Sequence, residues 1–250
     1  MSTVLMTTGV AVGFPKDETP LRPLSTDRPD ATESPYTVDK GHFQFELEVL
    51  SYSMDGEEDS FALSELNFKY GITGNSDLQL VLPLYEHVVD GANGFGDIQL
   101  RFKQNLWGND SGRTAFAIMP FIQLPTGADG ITTEKFEGGV ILPLGISTAG
   151  RWSYGVQVEL DLVGNELESG HHFSFLSSAT AACELNETMG MFLELVGIAN
   201  EGGAVNTEAY FNTGLTHAVS ETVQLDGGVR IGLTSDSTDF TPFAGVSVKF

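Results

Sequence analysis

At 250 residues the chain is long enough for one β-barrel or two small domains. A formal charge of −22, from 12 basic and 34 acidic residues, argues against a nucleic-acid-binding face, which needs clustered Lys and Arg. With 41% hydrophobic residues the chain is not disordered, and one cysteine, Cys183, excludes an internal disulfide framework and a Cys-based zinc site.

Residues 4–14 are mildly apolar, but no Lys or Arg precedes them and no small-x-small cleavage site follows. They make a poor secretory signal, so the expectation is a trimmed or misassigned start, or a chain that is not exported. Residues 15–41 hold five of the ten prolines, Pro15, Pro20, Pro23, Pro29 and Pro35, among many Ser, Thr and Asp. Such composition favours extended, irregular chain. Residues 1–41 are therefore expected to form an irregular Pro-rich segment, a signal remnant and linker or a lumen plug. Residues 42–250 are expected to form the folded domain.

From residue 42 the pattern changes to period-two alternation, the mark of a strand with one wet and one greasy face. Twelve strands are predicted: 42–54, 60–71, 76–87, 94–107, 113–124, 135–146, 152–163, 172–185, 189–199, 207–218, 222–233 and 239–250. In the fourth, Ile98, Leu100, Phe102 and Leu106 oppose Asp97, Gln99, Arg101, Lys103 and Asn105. In the seventh, Trp152, Tyr154, Val156, Val158, Leu160 and Leu162 oppose Ser153, Gln157, Glu159 and Asp161. The eighth and ninth are blurred. The last strand alternates Phe240, Ala244, Val246 and Val248 against Gly245, Ser247 and Lys249, and the sequence stops on Phe250.

Connections alternate between short (72–75, 108–112, 147–150, 186–188, 219–221) and generally longer ones (54–60, 88–93, 125–134, 164–171, 200–206, 234–239). That alternation is how outer-membrane barrels are built, with short periplasmic turns and longer external loops. Twelve residues at ~3.3 Å each, tilted ~40°, rise roughly 30 Å, enough for an apolar band of ~25 Å. A soluble twelve-stranded barrel would have to fill a wide bore with its Leu and Phe. The fold class is therefore all-β: a single antiparallel up-and-down transmembrane β-barrel of about twelve strands. No run of ~18 apolar residues is present, which says nothing against a membrane barrel.

The charged faces then point inward. Candidate lumen-lining residues are Glu46, Glu48, Glu65, Lys69, Asp97, Arg101, Lys103, Glu159, Asp161, Glu208, Asp226 and Arg230. Such a lining favours cations or neutral polar solutes; the alternative is a set of opposed charges that closes a narrow barrel. The motif Thr26-Asp27-Arg28-Pro29-Asp30 either docks inside, with Arg28 pairing to Glu46 or Glu48, or is a solvated tail. Trp107, Trp152 and Tyr154 fall where an aromatic girdle would lie at the short-turn end. His171 and His172 lie near Glu166 and Glu168, but adjacent histidines diverge, so no metal or other cofactor is expected. His87, His171 and Asp90 fall near one rim without the spacing of a nucleophile–base pair, so no catalytic residues are expected. The acidic run 55–59 lacks EF-hand spacing and reads as a solvated loop.

Residues 24–46, LSTDRPDATESPYTVDKGHFQFE, resemble the opening of the MetA-pathway of phenol degradation family. The matching elements are Thr26-Asp27-Arg28-Pro29-Asp30, Ser34-Pro35, Thr37-Val38, Gly41, Gln44 and Glu46. Tyr70-Gly71-Ile72-Thr73, Leu82-Pro83-Leu84, Gly96-Asp97 and Leu124-Pro125-Thr126-Gly127 extend the likeness over residues 24–250. The resemblance implies a barrel in the bacterial outer membrane that transports small molecules, aromatic or hydrophobic ones among them. It implies Phe250 as an assembly signal, read in that class of barrel by the assembly machinery. The expected partners are the lipid bilayer, lipopolysaccharide, that machinery and a small-molecule solute. The alternative is a non-transporting structural or adhesive membrane barrel. Less favoured are a barrel-embedded hydrolase and a soluble β-domain.

Overall fold

The computed structural model describes residues 21–56, 60–88, 91–165, 169–201 and 206–250. Residues 4–14, 57–59, 90, 166 and 168, discussed above, lie outside them.

Twelve long antiparallel strands and one of two residues follow in chain order: β1 Phe43–Ser53, β2 Ser60–Gly71, β3 Ser76–Val88, β4 Asn93–Gly94, β5 Ile98–Trp107, β6 Thr114–Leu124 and β7 Glu137–Ser147. Then come β8 Trp152–Gly164, β9 His171–Glu184, β10 Met189–Asn200, β11 Asn206–Ser220, β12 Val223–Gly232 and β13 Phe240–Lys249. Each long strand pairs with the next, and β1 pairs with β13, so the sheet closes on itself. Gln44 faces Lys249, Leu47 faces Val246 and Ser51 faces Phe243 across the seam. Phe43 and Phe250 exchange both backbone hydrogen bonds, at 3.2 and 2.9 Å. The Phe250 ring meets Phe45 edge-on at 5.6 Å. The expected strands thus form with bounds shifted by a few residues. The small β4, paired only to Glu86 and His87 at the loop rim, is the addition.

The two faces of the wall are inverted relative to a water-soluble barrel. Leu100, Phe102, Val158 and Leu160 are 38–47% exposed on the outside. Inside, Gln44, Glu46, Lys69, Gln79, Lys103, Gln157 and Glu194 are each at most 2% exposed. An apolar exterior around a polar interior suits a protein whose outer solvent is hydrocarbon. Register shifts interrupt the pairing between Asn105 and Trp107 of β5 and between Ala218 and Ser220 of β11, and in the β1–β13 pair between Glu48 and Leu50. Val49 and Leu50 therefore both point outward, and Ser51 turns in. Trp107, Trp152, Tyr154 and Phe250 are exposed at the short-turn rim, where aromatic side chains suit the lipid–water boundary.

The inner wall is not uniformly polar. On β6 and β7 it carries Ala115, Ala117, Met119, Ile141 and Pro143, all fully or nearly fully buried. Pro120 and Pro143 lack a backbone N–H, and ladder pairing lapses opposite both.

Val158→Arg, at the middle of β8 on the outer face, is expected to cost about 2–4 kcal/mol if it falls near the bilayer midplane. Glu159→Gln, one residue on and facing inward, should leave assembly near wild type. The yield of heat-modifiable barrel on unboiled gels reads both. Equal losses for the two would contradict the inside–outside assignment.

Candidate functional site

The chain before β1 does not hang below the barrel. It enters at the short-turn rim near Arg22, rises into the lumen and returns to the same rim at Asp39. Arg22 and Asp39 clamp the two ends, with Nε to Oδ1 at 2.8 Å. Arg22 also reaches the carbonyl of Gly74 in a short turn at 3.0 Å. Lys249 of β13 donates to the Arg22 carbonyl and lies 3.5 Å from Asp39 Oδ2. Residues 22–39 therefore form an inserted hairpin.

Its Pro-rich, irregular backbone cannot add a strand, so its N–H groups need other acceptors. Lumen side chains supply them. Glu46 of β1 accepts from the backbone of Asp27 and Arg28 at 2.9 and 3.0 Å. Glu194 of β10 accepts from Ala31 N, Thr32 N, Thr32 Oγ1 and Asn212 Nδ2, all within 2.9 Å. Gln157 of β8 accepts from Glu33 N at 2.7 Å, and Asp77 of β3 from Val38 N at 3.0 Å. Close approach is permitted by missing side chains on the wall. A Cβ on Gly245 would collide with the Arg28 guanidinium, and one on Gly155 would meet Thr32 at 3.0 Å.

Two ion networks lock the tip. Asp27 is held by Lys69 and, at 2.6 Å, by Lys103; Lys69 also bonds Glu46. Burial alone would raise the Asp27 carboxyl, but Lys103 and Lys69 hold it well below the usual carboxylate range. Arg28 bridges Glu48 and Asp226, each at 2.8 Å, and Arg230 completes the set on Glu48 at 2.7 Å. The Arg230 guanidinium stacks over Phe243 at 4.5 Å. Of the two pairings anticipated for Arg28, Glu48 takes the side chain, while Glu46 takes its backbone N–H.

Above the tip, towards the long loops, lies a cavity of about 300 Å³ lined by Asp30, Glu33, Glu48, Glu65, Arg101 and Arg230, among others. Arg101 pairs with Glu33 at 2.7 Å. Glu65 is exposed to this space. Glu159 and Asp161 follow on β8, and Glu208 on β11 accepts from Tyr210 at 2.6 Å. Asp97 stands apart: it precedes β5 and takes donors from Gly127 N, Thr132 Oγ1, Thr133 N and Thr133 Oγ1 at 2.7–3.0 Å. Burial opposes its charge, but those donors keep its carboxyl below the ordinary range. It fastens the 125–136 loop rather than joining the ring of charges. Glu194 was absent from the sequence-derived set. Its alternation between Leu193 and Leu195 marks it as inward, but only the hairpin's position shows what it receives. Glu33 and Asp77 went unassigned for the same reason.

A model of the family described as "Putative MetA-pathway of phenol degradation" matches residues 26–250. A search of curated protein sequences gave no match. Among solved structures, the chain is similar to the COG4313 outer membrane channel from Pseudomonas putida F1. There the TM-score is 0.70 at 11% identity, covering 86% of this chain and 97% of that one. It is also similar to the NanC porin, with a TM-score of 0.58 at 8% identity, covering 83% and 98%. Both likenesses concern the fold: a closed barrel of the outer-membrane type.

Lys69→Met would strand the buried Asp27 and Glu46 beside a lost cation. A cost of about 3–5 kcal/mol is expected, read as an earlier thermal transition in detergent. Arg22→Ala, at the wetter rim, should cost about 1 kcal/mol or less.

Proposed function

The chain belongs to the MetA-pathway of phenol degradation family, and we propose that it is an outer-membrane channel for small solutes, closed by its own N-terminal hairpin. One observation carries this reading. The short-turn half of the lumen is filled by a segment that owes its place to side-chain hydrogen bonds and ion pairs, not to strand pairing. A barrel that only needed a solid core would not need a core that can leave by the way it entered. Both hairpin ends lie at the same rim, so it can withdraw without threading a loop.

Solute class follows from the lining. The loop-side half carries Glu33, Glu48, Glu65, Glu159, Asp161 and Glu208 against Arg101 and Arg230. That balance favours cations and neutral polar solutes over anions. The apolar strip of Ala115, Ala117, Met119, Ile141 and Pro143 supports passage of small aromatic or hydrophobic molecules. Pro35 lies against Gly145 beside that strip, so withdrawing the hairpin would uncover apolar wall. Assembly through Phe250 and contact with lipopolysaccharide belong to this same reading.

Glu194→Ala removes the acceptor for three hairpin donors and should unseat the tip. In planar bilayers the variant is expected to conduct far more often than wild type, with a reversal potential showing cation preference. Silence from both proteins, when both are folded barrels, would instead favour a non-transporting structural barrel.

A further inference from the structure

The cavity above the hairpin tip keeps acceptors that the protein's own donors do not reach. Its cations are already committed: Arg28 and Arg230 hold Glu48, and Arg101 holds Glu33 at 2.7 Å. Glu65 of β2 lines the cavity, is exposed to it, and forms no ion pair among the described residues. Glu33 gives Oε1 to Arg101, but its Oε2 is buried without a partner. Asn67 lies two residues along β2 from Glu65, on the same face, and also lines the cavity. It is 6% exposed, and its Oδ1 has no partner.

The Asn67 amide is not free to turn. Asp77 accepts from Val38 N with one oxygen and from Gln79 Nε2 with the other, each at 3.0 Å. Gln79 therefore presents Oε1 to Asn67, which answers with Nδ2 at 3.2 Å. That relay leaves Asn67 a carbonyl oxygen to offer, not an amide donor. Arg28 Nε, a donor likewise without a partner, lies against Gly245 of β13, where even a Cβ would come within 2.6 Å of it. The atoms left to serve the cavity are acceptors.

We propose that this cavity binds the primary ammonium group of a small solute, with Glu65, Glu33 Oε2 and Asn67 Oδ1 as its acceptors. An ammonium carries three N–H donors on one compact charge. Acceptors from the hairpin and from β2 can surround it. Burial, then the like charge of Asp27, pushes the Glu33 carboxyl up; a cation at Oε2 would offset both. A quaternary ammonium brings charge without a donor, so it would leave the Asn67 oxygen unanswered. At about 300 Å³ the space is at the small end for ligand sites, so the body of the solute is small. The inference names a solute class for the channel reading above and rests on that reading for passage, not for binding.

The test is isothermal titration of the full chain in detergent with ethylammonium chloride, at constant ionic strength. Tetramethylammonium and sodium chloride serve as comparisons. Ethylammonium should saturate one site, and the other two should bind about tenfold more weakly or worse. Glu65→Gln and Asn67→Ala should each weaken ethylammonium binding by roughly tenfold or more. Asp110→Asn, at the short-turn rim where that side chain is 80% exposed, should bind as wild type does. All variants are first shown to be heat-modifiable barrels; should Asn67→Ala fail to fold, Glu65→Gln decides. Equal affinity for ethylammonium and tetramethylammonium would overturn the proposal, and so would undiminished binding by Glu65→Gln. An absence of saturable binding would also overturn it, and a conducting Glu194→Ala would then leave the channel standing. Binding that Glu65→Gln weakens, beside a silent Glu194→Ala, would uphold the site and remove the channel.

Discussion

Everything in this structure depends on the absence of free backbone donors and acceptors facing hydrocarbon. In lipid an unpaired N–H or C=O costs several kcal/mol, so a sheet that spans must close. Closure falls to the pairing of β1 with β13, and the exchange between Phe43 and Phe250 sets its register at the rim. From that register follows which residues face out. A slip of one residue would move Glu46 and Lys249 into lipid and Val246 and Val248 into the lumen. The bulge at Val49 and Leu50 absorbs one residue without carrying such an error along the strand.

Closure creates a second problem, an interior too wide for side chains of twelve strands to fill on their own. The hairpin solves it in an unusual currency. Buried apolar side chains gather on the β6–β7 wall and at Val81, Phe192, Val196 and Phe243; the hold on the hairpin is built chiefly from charge and hydrogen bonds. Carboxylates are good receptors for irregular backbone, because each has two oxygens and needs no particular φ and ψ from its donor. Glu46 and Glu194 use this freedom to hold chain that proline forbids from joining a ladder. The cations Lys69, Lys103, Arg28 and Arg230 keep the buried acids from repelling one another. A polar plug of this kind is specific in where it sits, yet every bond it makes has a counterpart in water, in keeping with the proposed withdrawal.

Much of this was legible in the sequence, because in a strand the side-chain period is two and the surroundings impose a matching period of polarity. The strand set, its inverted faces, the alternating turns and the seam at Phe250 all follow from local order along the chain. So does the inward position of Glu46, Lys69, Lys103, Asp226 and Arg230. What local order could not decide was the fate of residues 22–39. A run of Pro, Ser, Thr and Asp is equally at home in water or against a polar wall, since both satisfy its backbone. Only the tertiary structure shows Arg28 between Glu48 and Asp226, and Asp27 between Lys69 and Lys103. Those contacts join residues up to 198 positions apart, where no periodicity reaches. The same holds for Asp97, whose parity places it with the lumen charges but whose four donors all come from the 125–136 loop. The sequence by itself determined the wall, because each strand carries its own instructions for facing lipid or water. The tertiary structure decided what fills the bore, because that depends on which distant donors and acceptors closure brings within reach.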